Sequence, residues 1–150
     1  VKAVGSKTAP ELYAAHLSQR EAAQILSNFF YDVRLKSRIE LRAADSMPPR
    51  YIAAYAQLVK SVFGSPAALQ NVLRHYAGIT TLDITTAKLA VYKDGFNALA
   101  YGKPISSELT WLLMQARSRT PSQEERAQLD PFMALVMKRK TIRETENYNE

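Results

Sequence analysis

The chain has two histidines, His16 and His75, far apart in sequence, and no cysteine. Metal binding or general-base catalysis needs a second ligand or an orienting group close by. His16 has no ligand partner at i+4 and stands just before a capping box, while His75 reads as a helix-surface residue beside Arg74 and Tyr76. The five glycines form no phosphate-cradling loop, and no acidic pair sits at helical or metal-ligand spacing beside a histidine. These residues point away from an enzyme and call for no cofactor, no metal and no small-molecule substrate.

What the chain does carry is positive charge. Twenty Lys and Arg against 14 Asp and Glu leave a net charge of +6 and a pI near 9.6. Such an excess favours a polyanionic partner. The cations cluster. Arg34, Lys36, Arg38 and Arg42 lie together, with Glu40 the one acid among them. Arg117 and Arg119 flank Ser118 where one helix ends and another is expected to begin at Thr120-Pro121. A helix N-terminus offers free N–H groups and a positive dipole, so two arginines beside it predict a seat for phosphate. The same arginines also suit the negative C-terminus of the helix before them. Arg74, beside His75 and Tyr76, offers a further phosphate contact. Lys138, Arg139, Lys140 and Arg143 form a third group, followed by Glu144, Glu146 and Glu150.

Capping signals divide the chain into the helices that must position these groups. Thr8/Glu11 and Ser18/Glu21 read as capping boxes. Residues 31–43 change to period-two alternation and are expected to form a short strand or an irregular segment. After Pro48-Pro49, Tyr51, Ile52, Tyr55, Leu58, Val59, Val62 and Phe63 make one apolar stripe that Gly64 ends. Ser65-Pro66 then opens a helix as N-cap and first residue. The β-branched run 79–86 reads as extended, before a helix that Asp94-Gly95 interrupts. Ser106 or Ser107 is expected to cap the next helix, Thr120-Pro121 the one after, and Asp130-Pro131 the last. The expected fold is mainly α, with a helical core over 9–140 and polar arms at 1–8 and 141–150. No apolar run approaches the ~20 residues of a membrane span, and a cytoplasmic, non-secreted protein is expected.

Several of these blocks recur together elsewhere. Gly64-Ser65-Pro66, then Leu69 to Ala77 (LQNVLRHYA), then Gly95-Phe96, then Ser118-Arg119-Thr120-Pro121 before a charged helix resembles, in order and spacing, the core of coat proteins from flexible filamentous plant viruses of the potyvirus and potexvirus type. The resemblance covers about residues 60–140. It implies a helical core that polymerises with neighbouring copies around single-stranded RNA, in a virion or in host cytoplasm. Ser65 matches an RNA-pocket position of the family; Gln70 and Leu112 stand where the family has an Arg and an Asp. The expected RNA contacts are therefore Ser65, Arg74, Arg117, Arg119, Arg34, Lys36 and Arg38. Two other readings fit the composition: a small basic subunit of a protein assembly without nucleic acid, and a DNA-binding regulator built on a helix-turn-helix at 18–33.

Overall fold

The computed structural model describes residues 18–22, 32–35, 39–44 and 46–146. The protein is mainly helical, and its contacts divide it into two compact units, Val1–Ser46 and Met47–Glu150. That division falls inside the 9–140 stretch expected to be one helical core.

In the first unit, the Ser18/Glu21 capping box forms as the spacing predicts. The Glu21 N–H donates to Ser18 Oγ at 3.3 Å, and Ser18 N donates back to the Glu21 carboxylate at 3.0 Å. The strand reading of 31–43 also holds. Strands β1 (Val33–Leu35) and β2 (Ile39–Leu41) pair antiparallel with Val33 opposite Leu41 and Arg34 opposite Glu40. The Arg42 N–H closes the pair on the Asp32 carbonyl at 2.7 Å. The Thr8/Glu11 box and most of the helix-turn-helix expected over 18–33 lie outside the described residues.

The second unit holds helices α1 (Pro49–Phe63), α2 (Pro66–His75), α3 (Thr81–Asp94), α4 (Ile105–Arg119), α5 (Gln123–Ala127), α6 (Asp130–Lys138) and α7 (Ile142–Thr145). Between α3 and α4 run a 3₁₀ turn, Gly95–Asn97, and a hairpin of β3 (Leu99–Ala100) and β4 (Lys103–Pro104). Helix α1 packs on α2, α4 and α6. The centre is Val62, Ala116 and Leu129, with Leu58, Val72 and Leu112 packed around it. Ala54 and Ala116 are fully buried in α1 and α4, and so small a side chain lets two backbones approach closely. Toward the start of α1, Tyr51 stacks on Phe132 with ring centroids 6.0 Å apart.

Four local expectations are corrected. The run 79–86 is helical from Thr81, because Thr80 and Asp83 form a reciprocal capping box that outweighs the β-branched propensity. Helix α4 starts at Ile105, ahead of Ser106 and Ser107. Its entry is set by the hairpin, whose turn residues Tyr101 and Gly102 both have positive φ, as a two-residue type I′ turn requires. Thr120 does not open a helix: its hydroxyl donates back to the Ala116 carbonyl at 2.8 Å, and Ser122 caps α5 instead. The segment expected to be a polar tail from 141 begins with α7, held by a Thr141/Glu144 capping box. The α1 stripe is also rotated. Tyr51, Ala54, Gln57 and Val62 are buried, while Ile52 and Phe63 are exposed.

Candidate nucleic-acid interface

The end of α1, the Gly64-Ser65 link and the end of α4 surround a cavity of about 320 Å³. Ser65 and Arg119, named separately from the sequence, both line it. Ser65 caps α2, its Oγ accepting from the Ala68 N–H at 3.2 Å. A hydroxyl that accepts one bond still has its proton to give, and Ser65 donates to no group among the described residues. Arg119 is exposed, and its side chain makes no hydrogen bond or ion pair among the described residues. Its guanidinium is thus a fork of donors with no internal acceptor. Lys60, also on the wall, is paired to Glu125 at 2.6 Å. Glu125 is the carboxylate lining the groove among the described residues, and Leu112 packs against the apolar core.

The wall is held by a buried polar network that sequence periodicity gave no sign of. Gln57, 5% exposed, donates to Ser61 Oγ at 2.9 Å and to Thr120 Oγ1 at 3.3 Å. Ser61 and Thr120 share a bond of 2.9 Å, and Thr120 is 1% exposed. Arg126 then donates to the Thr120 and Pro121 carbonyls at 2.6 and 2.8 Å, satisfying acceptors that the end of α4 leaves open. Each buried side-chain polar group among the described residues has a partner, so the network fixes the end of α4 that carries Arg119.

The other expected contacts lie elsewhere. Arg117 pairs with Asp130 at the start of α6 and does not line the cavity. Helix α5 is a single short turn already capped by Ser122, so no helix N-terminus completes the seat expected at Arg117 and Arg119. Arg74 is exposed on α2, its Nε 3.4 Å from the Gln70 carbonyl, and does not line the cavity. Arg34 lies in β1 of the other unit, opposite Glu40; Lys36 and Arg38 fall outside the described residues.

His75 is corrected from a surface residue to a packed one. Its ring stacks flat on Trp111 with centroids 3.5 Å apart, and Nε2 lies 2.9 Å from Glu108 Oε2. Lys103 Nζ reaches the other carboxylate oxygen at 3.3 Å. Burial pushes the Glu108 carboxyl up, but the hydrogen bonds from His75 and Lys103 outweigh it and hold it below the usual range. Burial, and then the Glu108 carboxylate, push the Tyr76 phenol up. Among the described residues no three His, Cys, Asp or Glu could hold a metal, and no helix is long and apolar enough to cross a membrane. The Glu108 cluster joins α2, the hairpin and α4.

That joint has a pH signature. A carboxylate with a lowered folded pKa contributes stability above its unfolded pKa, near 4.3, and loses it as pH falls through the folded value. Glu108→Gln is expected to destabilise the protein at pH 7 by about 1–3 kcal/mol, the usual effect of leaving buried charge-assisted bonds incomplete. Thermal melts at pH 7 and pH 3 check this: the gap between variant and parent should shrink at the lower pH. An equal gap at both would assign the effect to packing. No family model, curated protein or solved structure matches this chain, so what the groove can do is read from its own geometry.

Proposed function

We propose that this is a self-assembling structural protein that coats single-stranded RNA in a helical nucleocapsid through backbone phosphates. The observation that carries the reading is the juxtaposition of Arg119, exposed and with no acceptor among the described residues, with the Ser65 hydroxyl, whose proton has no acceptor among them, in one open groove. Guanidinium and hydroxyl donors suit phosphate oxygens, and phosphate contacts carry no base information, so RNA of any sequence is accepted. The net charge of +6 supports a polyanion. The order of motifs over residues 60–140, which resembles that of the filamentous coat proteins, supports single-stranded RNA and self-assembly.

A second reading, a basic subunit of a protein-only assembly, is favoured by α3. Leu82, Leu89 and Tyr92 recur at helical spacing on one side of it and are 73%, 65% and 93% exposed, a patch suited to a protein partner. Negative-stain microscopy separates the readings. RNA coating predicts filaments with single-stranded RNA that shorten or vanish without it. Assemblies whose size and number ignore RNA favour the protein-only subunit, and discrete dimers favour a DNA-binding regulator.

A further inference from the structure

The start of α1, the end of α6 and α7 border a second open cavity, of about 460 Å³. Arg50, Lys138 and Lys140 line it, with Glu144 the one carboxylate on its wall among the described residues. Neither lysine makes a side-chain hydrogen bond or ion pair among the described residues. Glu144 accepts from Thr141 N at 2.7 Å and Thr141 Oγ1 at 2.8 Å, and Lys140 also attracts its charge. Arg50 is met by Glu146, just after α7, and stands over the Tyr51 ring 4.9 Å from its centroid. Three cations stand here against the two carboxylates of Glu144 and Glu146, so positive charge is in excess and an anion among them lowers the repulsion. Glu146 places a carboxylate against Arg50.

We propose that this cavity is a second phosphate site for the same RNA, and that Glu146 holds a phosphate's place on Arg50 until RNA displaces it. The inference rests on the RNA-coating reading and extends it. An open cavity ringed by separate cations suits successive phosphates of a strand more than one enclosed ion, and the arginine fork matches phosphate oxygens as it matches a carboxylate. The acidic residue on Arg50 then acts as a local competitor, so that binding at this site exchanges one carboxylate for one phosphodiester.

The test is fluorescence anisotropy with labelled oligouridine over a salt series, with circular dichroism checking that each variant is folded. Each phosphate neutralised on a single strand contributes about 0.7 to the log–log salt slope. Lys138→Ala/Lys140→Ala is expected to bind about tenfold more weakly at about 50 mM salt, with the slope shallower by roughly 1.4. Glu146→Gln frees Arg50 and is expected to bind more tightly, with the slope steeper by roughly 0.7. Parental affinity and slope in the double-lysine variant, while Arg119→Ala loses binding, overturns the second site and leaves the coating reading standing. No binding by the parent protein at low salt overturns both. Loss in the double-lysine variant of cosedimentation with phosphatidylserine vesicles, with RNA binding unchanged, assigns the cavity to a lipid surface and also overturns the proposal.

Discussion

Replacing Leu129 with alanine is expected to lower the stability of the protein by about 2–5 kcal/mol, the range for truncating a fully buried leucine. Leu129 is 0% exposed and sits between Val62 of α1 and Ala116 of α4. The neighbours cannot close over the gap easily. Ala116 has only a methyl group that cannot swing into the gap, and the link from α4 to α6 is tied by Arg126 to the Thr120 and Pro121 carbonyls. A small domain has only about 5–15 kcal/mol in total, so the melting temperature should fall on the order of 10–30 °C. Met137→Ala, at a side chain 79% exposed, is the control and should change stability by less than about 0.5 kcal/mol. Similar melting for the two variants would show that Leu129 is not the packing centre.

Where one residue type forces one backbone geometry, the fold was legible in the sequence. Ser65-Pro66 opened α2, Asp94-Gly95 closed α3, Asp130-Pro131 opened α6, and period-two alternation placed β1 and β2. Where two local signals compete, it was not. Thr80 and Asp83 made a helix start inside a β-branched run, and Thr120 turned its hydroxyl inward although Thr-Pro ordinarily opens a helix. Leu129 was invisible for a different reason. It lies at a junction between two helices, where no periodicity singles out a lone residue.

The candidate site divides along the same line. Ser65 was marked by its cap and its motif, and Arg119 by its charge, but their meeting in one groove depends on how α1, α2 and α4 pack. Gln57 and Ser61, which steady that groove, look like ordinary polar helix positions until Thr120 is placed against them. Lys138 and Lys140 were visible as a basic run, whereas Arg50, distant in sequence, joins them only through the fold. Charge clusters in sequence thus named the cations; tertiary pairing decided which remained available. Arg117 is taken by Asp130 and Lys60 by Glu125, while Arg119 is left open.

The most direct test of phosphate-dominated coating is the affinity for two unrelated single-stranded RNAs as a function of salt. Neutralising about two to four phosphates gives a log–log slope of roughly −1.4 to −2.8, so a fourfold rise in salt should weaken binding about 7- to 50-fold. The two RNAs should bind alike, because the groove offers donors to phosphate and no base-reading pattern. Arg119→Ala should bind more weakly, with the slope shallower by roughly 0.7 and the melting temperature unchanged, since the exposed guanidinium holds nothing else in place. An affinity indifferent to salt, a strong preference for one RNA, or no binding at low salt would contradict the account.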